Sequence, residues 1–382
     1  MGSPDQQPGK SAAEQTLALF FTFRYALADW DEGGTIAREI ALYNELGKSF
    51  DNIYVFTYGS NDETAYSKQF RDNVIVVDKP TGIPDSIYSF LAPVIHWWTL
   101  RDVDIVKTNQ MLGSWTALIA ATMFGASLVV RTGYVYSNFV RSRGENCKVG
   151  WKRVFAYVLE FIVYSASDGI ITSSPHGREY IEKRYRPAAP HLVIPNYVET
   201  DTFCPQGHDK IPSSICFVGR FVEQKNLSSL IRALGGSKYS LTLVGDGPRE
   251  EKLSDLAEES GADVTFRGRV SNHRLPEILD RHELFVLPSH YEGMPKALLE
   301  AMSCRMATVG TAVRGTDDVI THRHDGYLCE TDPDSLREAI DTVMENRSLR
   351  RKLARNARET ILTEYSLQQT IQQELELYEL FV

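Results

Sequence analysis

Short β-rich apolar runs alternate with longer amphipathic segments along this chain, and the alternation occurs twice. Leu17–Phe23, Asn52–Thr57, Val74–Val77, Ile105–Lys107, Leu128–Arg131 and Gly169–Thr172 read as strands, with helical patterns such as Gly34–Leu46 between them. The pattern resumes at Ser214–Val218, Leu241–Val244, Val264–Arg267, Leu284–Leu287 and Ala307–Gly310, separated by helical runs such as Ser228–Leu234 and Arg249–Glu259. Such alternation implies parallel sheets covered on both faces. The expected fold class is therefore α/β, with two Rossmann-like doubly wound domains. Ligands of open α/β sheets sit beyond the carboxyl ends of the strands, so two facing domains of this kind would enclose an interdomain cleft.

The domain boundary is expected after Val193-Ile194-Pro195-Asn196, where a strand-like run meets the polar stretch Glu199–Ser213. This divides the chain into a flexible tail over 1–15, domains over 16–195 and 196–365, and a C-terminal helix over 366–382 that packs back on the first domain. Of the 382 residues 43% are hydrophobic, so each half can bury its own core. The formal net charge of −9 offers no global attraction for nucleic acid, and any anionic ligand must be met by a local group of cations. Five scattered cysteines without a Cys-x-x-Cys pair argue against zinc or redox chemistry and fit a reducing cytoplasm. The polar residues 1–15 lack the apolar core of a signal peptide. Trp115–Val130 is too short to span a bilayer and reads as a helix followed by a buried strand.

Two constellations could meet an anion. In Tyr291-Glu292-Gly293-Met294-Pro295-Lys296, Pro295 suits the first turn of a helix, so the amides of Gly293, Met294 and Lys296 would face an anion at the positive end of the helix dipole. Glu300, on the second turn, could accept from two ribose hydroxyls; as isolated carboxylates, Glu292 and Glu300 could equally be solvated helix-end groups. The second constellation is Gly219-Arg220-Phe221-Val222-Glu223-Gln224-Lys225, where Arg220 and Lys225 follow a strand and could together neutralise a diphosphate without a metal. Gly33-Gly34, after the opening strand, would let the backbone approach a ligand closely.

Other near-motifs fail. Gly245-Asp246-Gly247-Pro248 starts like a dinucleotide fingerprint but has Glu250 at the third glycine, and reads as a tight turn. Gly47-Lys48-Ser49 ends like a phosphate loop, but Leu42 stands where its first glycine belongs. Asp102-Val103-Asp104 reads as the polar start of a strand rather than a metal pair.

Taken together these segments resemble the retaining glycosyltransferases of family 4, which have the GT-B fold. The resemblance rests on Gly33-Gly34, the Pro195-Asn196 to Phe203 crossover, Gly219-Arg220 to Lys225, Gly245-Asp246-Gly247-Pro248, Phe266-Arg267-Gly268-Arg269-Val270 and the Glu292/Glu300 pair. It implies a nucleotide-sugar donor on the second domain and a glycan or lipid-linked acceptor on the first. By resemblance, Arg220 and Lys225 bind the donor diphosphate, Glu300 the ribose, and Glu292 with Gly293–Lys296 the sugar and phosphate. Backbone near Arg269 and Val270 would meet the base, and Gly34 the distal phosphate. The leaving diphosphate would help deprotonate the acceptor on the same face, so that stabilising its charge carries much of the catalysis and neither metal nor cofactor is required.

The chain departs from the family where a His is common and Arg131-Thr132-Gly133-Tyr134 stands instead, leaving Arg131 and Tyr134 as candidates for the acceptor side. Tyr197 replaces a glycine after Pro195-Asn196, and Arg314-Gly315 replaces a glycine pair. The alternatives are a GT-B-like nucleotide-sugar 2-epimerase and a catalytically silent nucleotide-sugar-binding subunit. Finally, Arg141, Arg143, Lys148, Lys152 and Arg153 accompany Trp151, Val154, Phe155, Val158, Leu159 and Ile162 at helical spacing. This stripe reads as an ordinary core-facing helix with a solvated basic end; peripheral contact with an anionic membrane is the alternative.

Overall fold

The computed structural model describes residues 15–32, 36–60, 63–133, 136–137 and 149–381. The chain divides into two compact units: one runs to Ile194 and includes Ile371–Val382, and the other is Pro195–Thr370.

The first unit is built on a seven-stranded sheet: β1 (Thr16–Phe20), β2 (Asn52–Phe56), β3 (Val74–Val77), β4 (Ile105–Thr108), β5 (Ser127–Thr132), β6 (Gly169–Thr172) and β7 (His191–Val193). Their order is β3-β2-β1-β4-β5-β6-β7, and every neighbouring pair is parallel. All four residues of β4 are buried, including Lys107. Its ammonium lies 2.5 Å from Glu374 Oε2, and both side chains are 0% exposed. Tyr378 donates its hydroxyl to the same oxygen at 2.8 Å. Burial pulls the Lys107 ammonium below its usual range, and the Glu374 carboxylate opposes that shift. Glu374 and Tyr378 belong to the helix Leu367–Tyr378, so a charged bond far from water ties the returning end of the chain to β4.

The second unit has a six-stranded sheet: β8 (Ser214–Val218), β9 (Ser240–Val244), β10 (Asp263–Phe266), β11 (Leu284–Leu287), β12 (Ala307–Thr311) and β13 (Tyr327–Cys329). The order is β10-β9-β8-β11-β12-β13, again parallel throughout. Apolar runs such as Leu284–Leu287 are buried along their whole length because helices cover both faces of such a sheet. The helix Lys296–Ser303 buries Leu298, Leu299, Ala301 and Met302. Arg358 fastens the entry to this unit, donating to the carbonyls of Phe203 and Ser303 at 2.8 Å and of Thr200 at 2.9 Å.

Several expectations need correction. The opening strand ends at Phe20 rather than Phe23, since the Phe23 amide turns away to the Leu112 carbonyl at 2.9 Å. Gln15 is not part of a loose tail: it is buried, and its carbonyl accepts from the Asp51 amide at 2.9 Å. Strand β13 was not anticipated, because three residues are too few to display a period. The Trp151 stripe reverses its expected direction. On the helix Val149–Ala166, Trp151, Val154, Phe155, Val158 and Ile162 are exposed, and of the expected core stripe only Leu159 is buried. The buried side is formed instead by Ala156, Leu159, Glu160, Val163 and Tyr164.

Candidate functional site

Because every strand of the second unit runs the same way, the loops after β8, β9, β10, β11 and β12 emerge at one edge of its sheet. These loops carry the cations and carboxylates singled out above. The β8 loop leads through Gly219 and Arg220 into a single turn, Glu223–Lys225, and then into the helix Leu227–Leu234. The β11 loop leads through Ser289 and Glu292 into the helix Lys296–Ser303.

The two loops are joined at several points. Lys225 Nζ lies 2.6 Å from Glu292 Oε1. Glu292 is buried, and the same oxygen accepts from Ser289 Oγ at 2.5 Å. Gln224 Nε2 donates to the Tyr291 carbonyl at 2.8 Å, and the His290 amide donates to the Gln224 carbonyl at 2.8 Å. Asn226 clamps the base of both loops, its amide nitrogen reaching the Pro288 carbonyl at 3.0 Å and the Thr331 carbonyl at 2.8 Å. A charge-assisted pair at the mouth of the sheet is thus held by neutral hydrogen bonds behind it.

The helix starts at Lys296, one residue later than expected. Pro295 occupies the N-cap position with ψ 93°, and its carbonyl accepts from the Leu298 amide at 3.0 Å. Its first-turn amides still open toward the Glu292 turn, as they do at any helix start. Gly293 is exposed, Met294 and Lys296 are half-buried, and Glu300 is half-buried on the second turn. Arg220 stays exposed on the β8 loop and makes no ion pair among the described residues. Arg269 is exposed and binds Asp246 Oδ2 at 2.8 Å, while Val270 packs against the core of the unit. Glu292 is therefore committed to Lys225 and Asp246 to Arg269.

The turn Gly245-Asp246-Gly247 does more than reverse the chain. A Cβ on Gly245 would stand 2.0 Å from the Gly219 carbonyl oxygen, so only glycine lets the β9 loop lie against the β8 loop. The Asp246 carbonyl accepts from the Phe221 amide at 2.7 Å across that contact.

Gly315 supports Glu292 from the β12 side. It has φ +87°, and a Cβ there would lie 2.6 Å from the Glu292 carbonyl carbon. The Glu292 amide also donates to the Arg314 carbonyl at 2.8 Å. Gly315→Ala is expected to displace the Glu292 turn and to cost about 1–3 kcal/mol of stability, measured by urea unfolding. Unchanged stability in the variant would show that the turn tolerates the shift.

Sequence reasoning missed Ser289 and Asn226, and it noted Gly315 only as the remainder of a glycine pair, without its support of Glu292. Ser289 could have been found as a hydroxyl three residues before Glu292 at a strand end, whereas the other two act across loops distant in sequence. In the first unit, Arg131 lies on β5 and is buried, and its charge helps depress the Lys107 ammonium. It therefore belongs to the buried Lys107–Glu374 surroundings. Gly33, Gly34 and Tyr134 lie outside the described residues.

Comparison with known proteins gives consistent likenesses. Residues 200–360 match the family model described as glycosyl transferases group 1, and residues 42–197 match the glycosyl transferase 4-like domain. An uncharacterized glycosyltransferase of Methanocaldococcus jannaschii is 27% identical over 50% of this chain and 54% of its own length, so the chain spans little more than half of that relative. UDP-Gal:alpha-D-GlcNAc-diphosphoundecaprenol alpha-1,3-galactosyltransferase of Escherichia coli is 26% identical over 72% of this chain and 75% of its own length. Among solved structures, Anabaena Alr3699/HepE in complex with UDP superposes with a TM-score of 0.75 at 16% identity, over 96% of this chain and 99% of that one.

Proposed function

The chain belongs to the group 1 glycosyltransferases of family 4, with their two-domain α/β GT-B fold, and from that premise we propose that it transfers a sugar from a nucleotide diphosphate donor to a glycan, lipid-linked or small-molecule acceptor in glycoconjugate or polysaccharide biosynthesis. A UDP-sugar is the donor we infer, since the similar Anabaena protein was solved with UDP and the Escherichia coli relative is named for UDP-Gal. The reading places the reaction in the cytoplasm, with peripheral contact at a membrane where the acceptor is lipid-linked.

The observation that carries this reading is the Lys225–Glu292 pair beside the exposed Arg220 and the start of the helix Lys296–Ser303. Breaking the bond from the anomeric carbon to the diphosphate oxygen leaves negative charge on the diphosphate. Lys225, Arg220 and the helix-start amides of the Gly293–Lys296 turn would stabilise that charge in place of a metal. Glu292 would orient Lys225 and meet the sugar, Glu300 would accept from the ribose, and Arg269 with Val270 would border the base. The acceptor proton would pass to the departing diphosphate, so attack and departure share one face and the anomeric configuration is retained.

The test is an assay with a panel of nucleotide sugars in excess chelator, followed by NMR of the product's anomeric proton. Retained configuration and chelator-resistant turnover are expected. Activity that vanishes with chelator and returns with magnesium or manganese overturns the cation mechanism, and an inverted anomer overturns retention. In the same preparation Glu300→Ala is expected to weaken donor binding by about 1.5–3 kcal/mol in calorimetry, as loss of a charge-assisted contact.

A further inference from the structure

The first unit carries an apolar face that nothing in the catalytic reading uses. On the helix Asp85–Ile95 the side chains of Ile87, Phe90, Leu91 and Val94 are exposed, and Trp98, on the short helix Trp97–Leu100, is 75% exposed. On the helix Val149–Ala166, Trp151 is 70% exposed and Val154, Phe155, Val158, Phe161 and Ile162 join it. The helix Ser114–Phe124 lies between them. Trp115 stacks on Phe90 with ring centroids 6.1 Å apart and meets Phe155 edge-on at 6.4 Å, while Phe124 meets Trp97 at 4.9 Å. One continuous surface therefore crosses four helices. Contiguous apolar surface of this kind, unlike single exposed side chains, marks an interaction site.

The charges on this surface select its partner. The only acid of the helix Val149–Ala166, Glu160, is 0% exposed, accepting from the Ser137 amide at 3.0 Å and from the Tyr185 hydroxyl at 2.5 Å. Asp85, at the start of its helix, is half-buried and bound to Lys79 at 2.5 Å. The helix Ser114–Phe124 has no charged residue. Lys152 and Arg153, by contrast, are exposed beside Trp151. Among the described residues these helices carry aromatic and aliphatic side chains with cations and no exposed acid, and the exposed Asp102 beside Trp98 is neutralised by Arg101 at 3.1 Å; on a protein of net charge −9 this is the pattern of helices lying in the plane of an anionic bilayer. A second copy of the chain pairing through the same face would bring the same cations and no counter-charge. No helix of the described residues is long and apolar enough to cross a membrane, so the contact is one of shallow insertion.

We propose that this four-helix face binds the surface of an anionic lipid bilayer, with Trp98 and Trp151 inserted at the headgroup boundary and Lys152 and Arg153 on the lipid phosphates. The proposal rests on the lipid-linked acceptor reading above and names the surface that would bring the enzyme to it.

The test uses the full chain with vesicles of phosphatidylcholine alone and of phosphatidylcholine with phosphatidylglycerol in equal parts, read by co-sedimentation at low salt and by tryptophan emission. Binding to the anionic vesicles with a blue shift is expected, falling as salt is raised. Lys152→Glu/Arg153→Glu is expected to lower partition about tenfold or more, and Trp98→Ala/Trp151→Ala to lower it comparably. No binding to anionic vesicles, equal binding to phosphatidylcholine alone, or variants that bind like the parent each overturn the proposal. So does a dimer in sedimentation velocity that the tryptophan variant dissolves without any vesicle binding, which would assign the face to a second copy. Nucleotide diphosphate binding, followed by calorimetry on the same samples, separates the two readings. Its loss in the parent protein overturns the glycosyl-transfer reading, whereas absent vesicle binding with intact nucleotide binding overturns only the membrane surface.

Discussion

Lys225→Met is expected to lower kcat by about 10²–10³-fold, the loss that follows removal of one preorganised group stabilising charge in a transition state. Lys225 Nζ sits 2.6 Å from Glu292 Oε1, with 18% of the lysine side chain and 6% of the glutamate side chain exposed. The lysine is thus held by a buried carboxylate with part of its side chain still open to solvent, as the contact proposed with the leaving diphosphate requires. Removing it also strips a buried carboxylate of its cation, so the single variant mixes a catalytic loss with a structural one. The double variant Lys225→Met/Glu292→Gln separates them. It removes both charges, and Ser289 can still hydrogen-bond the amide that replaces the carboxylate. Thermal stability is expected to recover in the double variant and turnover is not. If turnover recovers with stability, Lys225 serves only to neutralise Glu292, and the diphosphate is met by Arg220 and the helix start without it.

The second large effect concerns stability. Lys107→Met is expected to destabilise the first unit by about 3–5 kcal/mol, because it strips the buried Glu374 of the cation bonded to it. Both partners are 0% exposed, and the ammonium also lies 5.4 Å from the Tyr43 ring centre and 6.0 Å from that of Tyr378. The double variant Lys107→Met/Glu374→Met should regain most of that loss, since an apolar pair of similar volume needs no desolvation of ions. Urea unfolding followed by circular dichroism measures both. The nucleotide binding proposed for the second unit, followed in the absence of urea, serves as the control for a specific effect. A double variant as unstable as the single one would mean that the loss comes from the missing bond and packing of Lys107 rather than from an unpaired Glu374 charge.

Much of the molecule was legible before folding. Alternating apolar runs and amphipathic segments report local backbone geometry, and they located most strands of both sheets within a residue or two; Ser214–Val218 and Leu284–Leu287 agree at both ends. The segments bearing Lys225 and Glu292 were legible for the same reason, since each follows a strand whose carboxyl end must face the ligand edge of a parallel sheet. The structural role of Gly245 and Gly247 was not, because the close approach of the Gly219–Phe221 loop, which a Cβ at either position would meet, is not visible in their own segment.

Periodicity, however, gives a helix a stripe without saying what the stripe meets. The spacing of Trp151, Val154, Phe155 and Val158 was read correctly as helical, but the opposite side, with Ala156, Glu160 and Tyr164, is the one that packs inward. An acid can occupy that side only because Ser137 and Tyr185 satisfy it there, and neither partner is visible from the helix itself. Sequence alone thus determined the two α/β halves, the strand ends that carry the site and the residue types suited to a diphosphate, all of which depend on short-range spacing. Tertiary structure decided that Lys225 meets Glu292 across 67 positions, that Lys107 meets Glu374 across 267, and that an aromatic face remains uncovered. Those outcomes depend on desolvation and close packing between segments, which no local pattern encodes.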